Sequence, residues 1–303
     1  MTWTVTQFLS DLKSRLQAPD ANGSFTDAEF LRHADQCMLL EMEPLLQSVK
    51  SEYYVKSTDT TIVAGTSNYR ITHRALGSKL RDVTYVDSNG NESSITEVAP
   101  EEAWRYRSGY PAVWSSAGGY MFQGEHIVML PTPTVAATLR QKYVLRRPQL
   151  DDFSNTATIT AKTTTTITVD TMPSSIVTGV SIDTIRNKPY FDHLDIDVTA
   201  TLVAGLVITV ASHDSDLAVG DYVALSGYSP VVPLPAEMYH LLLDGTAIRV
   251  MQSRGDDSWN SLMQTYERDK QRVLSIFSPR NEGEAPVIIN RSSPLRAGRK
   301  WGV

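Results

Sequence analysis

Apolar residues return at helical spacing at both ends of the chain and alternate at strand spacing between them. Val5, Phe8, Leu9, Leu12 and Leu16 mark an amphipathic helix, stopped by Pro19 and the Asp20-Ala21-Asn22-Gly23 loop. Thr26-Asp27-Ala28-Glu29 has the form of a capping box, with Phe25 and Phe30 at the staple positions. A stripe of Leu31, Ala34, Met38, Met42, Leu45 and Val49 follows, and Pro44 either kinks or ends that helix. These two helices are expected to pack as a hairpin. Helical spacing returns after Pro235, which suits the first position of a helix. Met238, Leu241, Leu242, Ala247, Ile248 and Met251 form one apolar face. A Gly255-Asp256-Asp257-Ser258 joint leads to a second helix carrying Trp259, Leu262, Met263, Tyr266, Val273, Leu274 and Phe277.

Between the helical ends the period changes to two. Arg81 to Val86 predicts a strand closed by the turn at Asp87 to Asn91. A β stretch at Ser94 to Val98 and a helical turn from Pro100 to Tyr106 come next. Further strands are expected near Val113, at Tyr120 to Phe122, Ile127 to Leu130 and Leu139 to Leu145. Residues 156–171 then hold nine threonines, and β-branched side chains at that density favour a pleated surface. Strands are predicted at Ile176 to Ile182, Leu194 to Val198, Leu206 to Val210 and Tyr222 to Leu225. The fold class read from this is α+β. It has a four-helix core built from the two chain ends, two β-rich excursions of sandwich or barrel type, and an extended C-terminal arm. The boundaries are 1–52 for the N-terminal helices, 53–151 for the first β region and 152–232 for the Thr-rich insert. Residues 233–277 supply the closing helices and 278–303 the arm.

Composition narrows the possibilities. At 303 residues the chain is long enough for about two domains with a substantial core. Cys37 is the only cysteine, which excludes an intrachain disulfide framework and a Cys-based zinc site, and points to a reducing compartment. No run approaches the ~18 apolar residues of a membrane helix, so a soluble protein is expected. The net charge is −6 and is unevenly spread. From Ala285 onward the chain carries Arg291, Arg296, Arg299 and Lys300 with no acid, which leaves −10 on the remainder. Val287, Ile288, Ile289, Leu295 and Trp301 give this basic arm the apolar anchors of a segment that docks on a partner. Residues 189–230 show the reverse: Asp192, Asp195, Asp197, Asp214, Asp216 and Asp221 with no Lys or Arg. That pattern predicts an acidic β surface, one past which DNA slides or on which a basic partner sits.

Catalytic and metal motifs are weak. Ser10 and Lys13 have Ser-x-x-Lys spacing on a packing helix. The six histidines, His33, His73, His126, His193, His213 and His240, make no zinc-helix pair. Asp195 and Asp197, placed on one strand face, could hold calcium with help from His213 to Asp216, but no EF-hand pattern accompanies them. No metal, cofactor or enzymatic activity is expected.

The runs YPAVWSSAGGYMFQGEHIVMLPTP at 110–133, LRQKYVLRRPQLDD at 139–152 and VVPLPAEMYHLLLDGTAIRVMQ at 231–252 resemble head-to-tail adaptor, or connector, proteins of tailed bacteriophages. Pro131-x-Pro133 matches the strand exit and Leu234-Pro235 the start of the helix. The resemblance spans about two thirds of the chain, and the block at 156–228 departs from it as an inserted domain. It implies a structural virion protein at the head-tail junction, made in the bacterial cytoplasm, forming a twelve-subunit ring under the portal. The C-terminal arm would dock on the portal protein and the β elements would meet a tail or nozzle protein. DNA would pass through the ring during ejection without sequence-specific binding. Two alternatives stay open: a stopper or nozzle subunit, and a carbohydrate- or cell-surface-binding tail module using Tyr190, Phe191, Tyr222 and Tyr228 for stacking.

Overall fold

The computed structural model describes residues 2–17, 25–50, 52–107, 118–188 and 190–277. The loop at 19–23, the strand expected near Val113 and the whole arm at 278–303 lie outside them. The fold is mixed α+β, with helices at both ends of the described chain and three β units between.

Helix α1 (Val5–Arg15) is opened by a capping box of Thr4 and Gln7, and α2 (Asp27–Cys37) by the expected box of Thr26 and Glu29. Phe25 and Phe30 stack at 5.8 Å, as a staple requires. Pro44 does not end the second helix. Because Pro44 has no amide to offer the preceding turn, the helix widens into a π-helical segment at Met38–Met42, where the Glu43 amide reaches Met38 O. It then resumes as α3 (Glu43–Val49) with Pro44 in its first turn.

At the far end Pro235 lies just outside the helix, ahead of a 3₁₀ turn at Ala236–Met238. Helix α5 (Tyr239–Arg254) is capped by Gly255 in the left-handed region, and α6 (Trp259–Phe277) follows. The expected single apolar face of α5 is a misreading. Leu241, Leu242, Leu243, Asp244, Gly245, Thr246, Ala247, Ile248 and Val250 are all buried, so α5 is wrapped on every side. Helices α1 and α2 each pack more closely on α5 than on each other, and one apolar cluster joins α1, α2, α3, α5 and α6. Gly245 permits a close approach of α2 and α6 to α5, since a Cβ there would lie 2.5 Å from Cys37 Sγ and 3.4 Å from the Tyr266 ring.

The first β unit pairs two four-stranded sheets over one core. One has the order β1 (Val55–Ile62), β8 (Ala137–Leu145), β3 (Ala75–Val86), β4 (Glu92–Ser94). The other has the order β2 (Asn68–Arg70), β7 (His126–Leu130), β6 (Gly119–Gln123), β5 (Thr96–Glu97). Ile62, Val83, Ile127, Met129, Leu139 and Tyr143 are buried between them. The short α4 (Ala103–Arg107) follows β5. A two-residue strand β9 (Gln149–Leu150) leads to the Thr-rich insert, which closes as a six-stranded barrel. Its order is β10 (Thr156–Lys162), β11 (Thr166–Val169), β14 (Val207–Val210), β13 (Asp192–Ala204), β12 (Ser181–Arg186), β15 (Tyr222–Leu225). The expected strand at Ile176 starts later, at Ser181, because Pro173 to Val180 fold into successive turns with Gly179 at φ +89°. After the barrel, β16 (Tyr228–Ser229) runs parallel to β9, so the chain leaves the insert beside the point where it entered.

Candidate functional site: the barrel junction and the cleft beside α2

The aspartate-rich insert takes part of its compensating charge from outside its own sequence. Lys56 of β1 bonds Asp192 at 2.7 Å and the His193 carbonyl at 2.8 Å. Arg74, just ahead of β3, donates to Asp183 of β12 at 2.7 Å, with both side chains nearly fully buried. Asp183 also accepts the amides of Asp197 (2.9 Å) and Gly227 (3.1 Å), while Arg74 reaches Ser226 Oγ at 3.2 Å. Ser226 in turn donates to Asp197. Gly227 sits at φ +88° with Arg74 Nη1 3.2 Å from where a Cβ would project, so a side chain there would crowd the guanidinium. Burial raises the pKa of Asp183, while Arg74 and the two amides oppose the shift. His193 is 2% exposed, and neither ring nitrogen has a hydrogen-bond partner. Burial, with Arg74 and Lys56 nearby, pushes its pKa down to about 3, so the imidazole is neutral. Phe191 packs against it edge-on at 5.1 Å and against Tyr54 at 6.5 Å. Beside this lock lies a polar cavity of about 380 Å³, lined by Lys56, Thr72 and Tyr143 on the sheet and by Leu194 to Val198 on the barrel.

The six aspartates read as one acidic surface are largely engaged in contacts within the chain, and Asp221 is buried. Asp192 is paired with Lys56. Asp195 accepts from Thr184 Oγ1 at 2.7 Å and from the Asp214 amide at 3.1 Å. Asp197, at φ +57°, turns to Ser226, Arg74 and His73. Strand β13 is bulged against β12 between Asp195 and Val198, which breaks the alternation that would have put Asp195 and Asp197 side by side. Asp214 accepts from the Asp216 amide, and exposed Asp216 pairs with Arg186 at 3.0 Å. Asp221 is buried and accepts the amides of Asn187 and Ala218. Among the described residues no three histidine, cysteine or acidic side chains converge as metal ligands. Of the stacking candidates Tyr190 is exposed, whereas Tyr222 is buried and Phe191 lies in the junction. Lys13 pairs with Asp27 at 2.9 Å. The docking-arm residues Val287, Ile288, Ile289, Arg291, Leu295, Arg296, Arg299, Lys300 and Trp301 fall outside the described residues.

A second feature lies on the helical body. A cleft of about 470 Å³ opens between α2 and the β9 segment, floored by Leu31 and Leu150 and rimmed by Arg32, Asp35, Leu39 and Asp152. Asp35 accepts the Leu150 amide at 3.0 Å. Burial pushes its pKa up to about 6, and the Leu150 amide opposes the shift. Neighbouring Asp151 is held internally by Ser154 and Asn155.

Sequence reasoning missed Arg74, Lys56, Asp183, His193 and Asp35. One signal was available: a segment with six acids and no Lys or Arg must draw its cations from elsewhere in the fold. Nothing in the spacing singles out Arg74 as the donor.

No protein-family model matches the chain, and no curated protein matches it. No helix among the described residues is long and apolar enough to cross a membrane.

Proposed function

We propose that this chain is a structural subunit of a tailed-phage head-to-tail connector, acting by geometry and not by catalysis. In this reading α1, α2 with its continuation into α3, α5 and α6 serve as a four-helix core that packs in a ring, with twelve copies implied by the resemblance. The arm from Val287 to Trp301 docks on the portal protein, the β units meet the tail or nozzle protein, and DNA passes through the lumen. The protein would accordingly reside at the head-tail junction of the virion.

The observation that carries the reading is that helices from both ends of the chain share one apolar cluster while the sheet domain and the barrel leave it as excursions. This is the plan expected from the hydrophobic periodicity, and a helical body with projecting β units suits the ring subunit that the resemblance implies. The buried Arg74–Asp183 lock supports it further, because a barrel fixed to the body can transmit position from ring to tail. The test is native mass spectrometry of the purified chain alone and mixed with portal rings. A monomer that becomes a stoichiometric ring complex is the expected result. Absence of association at any salt concentration overturns the reading, and portal binding that survives truncation at Arg280 overturns the docking role of the arm.

A further inference from the structure

Helix α6 turns a mixed stripe to solvent. Arg268, Arg272 and Ile276 follow one another at four-residue intervals and so share a face. The arginines are 61% and 68% exposed and Ile276 is 64% exposed. Their intrachain partner is Asp269, at 3.7 and 3.1 Å, within the same helix. Exposed pairs of that kind are weak and readily exchanged.

The cleft beside α2 has the complementary pattern. Asp35 and Leu39 are also four residues apart, Leu39 is 56% exposed, and Asp152 faces them from the other wall. Asp35 is half-buried with an amide partner and without a cation, which leaves a charged group poorly compensated in the single chain. Arg32, the one cation of the lining, is exposed at the rim.

We propose that this cleft receives the Arg268–Arg272–Ile276 stripe of α6 from a second copy of the chain, joining copies head to tail. Equal spacing fixes the register. Parallel packing brings Arg272 onto Asp35 and Ile276 onto Leu39 together, about 6 Å apart along both helices, and leaves Arg268 for Asp152. Antiparallel packing with Arg272 on Asp35 would carry Ile276 to Leu31 and away from Leu39, so a cross-link between positions 39 and 276 separates the two orientations. Cleft and stripe are different surfaces with no residue in common, so the contact is heterologous. Heterologous contacts propagate until they close as a ring or run on as a filament. The inference names the ring contact and rests on the connector reading above.

Cysteine chemistry tests it in the full chain. Cys37, the single native thiol, is fully buried and its pKa is pushed up to about 12, so background cross-linking is low. A Leu39→Cys/Ile276→Cys chain, assembled with portal rings and treated with a short thiol cross-linker, is expected to give a ladder of covalent oligomers. Each single variant alone should give none. Portal binding is scored separately by co-sedimentation. Portal binding without a ladder overturns the contact and leaves the connector reading standing. A ladder from concentrated protein without portal binding supports the contact and overturns the portal partner. Absence of both overturns both.

A charge swap guards against misfolded variants. Asp35→Lys/Asp152→Lys and Arg268→Glu/Arg272→Glu chains should each self-associate at least about tenfold more weakly than the native chain. Mixed one to one they should recover, alternating around the ring. Failure of the mixture to recover, with both chains folded by circular dichroism, overturns the pairing.

Discussion

Arg74 and Asp183, separated by 109 positions in the sequence, form a 2.7 Å ion pair between the sheet domain and the barrel, with both side chains nearly fully buried. Removing one partner leaves an uncompensated buried charge, at a cost of about 3–5 kcal/mol. Arg74→Ala should therefore lower the urea midpoint substantially. The double variant Arg74→Met/Asp183→Asn should regain part of that loss. The asparagine carbonyl still accepts one of the two backbone amides that Asp183 serves, while the other is orphaned. Equal destabilisation by single and double variants would show that the pair contributes nothing beyond packing.

The junction should also be acid-labile. His193 has a folded pKa of about 3 against an ordinary 6.5, so its contribution is fully present above pH 6.5 and is lost as pH falls toward 3. The charges facing it are Lys56 and Arg74, and both disfavour a third cation. Unfolding free energy should drop by on the order of 4 kcal/mol across that window from this group alone. His193→Phe should flatten the dependence there, read by chemical denaturation at pH 7, 5.5 and 4. An unchanged slope would mean that the imidazole is wet.

Asp35 works with the opposite sign. Its folded pKa, about 6 against an ordinary 3.8, is raised by burial, so the neutral form suits the fold and stability declines as pH rises from about 4 to 6. Asp35→Asn keeps an acceptor for the Leu150 amide and should stabilise the isolated chain at pH 8 by about 1–2 kcal/mol, with no gain below pH 4. A native group that costs stability when ionised is a common mark of a binding role. If thermal unfolding at pH 8 shows no gain, the cleft is better solvated than its geometry indicates.

Gly245→Ala should destabilise, although alanine is the better helix former by about 1 kcal/mol. The added methyl would stand 2.5 Å from Cys37 Sγ, and overpacking of this kind costs about 1–3 kcal/mol. Cys37→Ala removes that sulfur. The two substitutions should therefore couple favourably in a double-mutant cycle. Strict additivity would place the collision elsewhere, on the Tyr266 ring.

Local signals were legible in the sequence and remote ones were not. The box at Thr26 and Glu29 and the strand at Tyr222 to Leu225 depend on neighbours a few residues away, and the structure has both as expected. The β character of the Thr-rich block was equally readable. Its closure into a barrel was not, since that depends on Thr156 to Thr158 finding Tyr222 to Ala224 across the whole insert. Polar residues hid the burial of α5: Asp244 is buried because Arg15 of α1 pairs with it at 2.6 Å, and Thr246 because its hydroxyl donates to the Leu242 carbonyl. A bulge defeated the simple alternation at Asp195 and Asp197. The Pro44 signal pointed to the right place, but sequence alone offers no way to choose between a break and a wider turn.

The parallel pairing of Gln149 with Tyr228 and Leu150 with Ser229 gives the insert the geometry of a cassette. Adjacent strands lie about 4.8 Å apart, so the host chain sees the intervening residues as a detour that returns to its starting point. A module of another fold could occupy the same socket if its ends met at that spacing. It would also have to present carboxylates to Lys56 and Arg74, which would otherwise be left as unpaired cations on the sheet. Exchange at this position is thus topologically open and electrostatically selective.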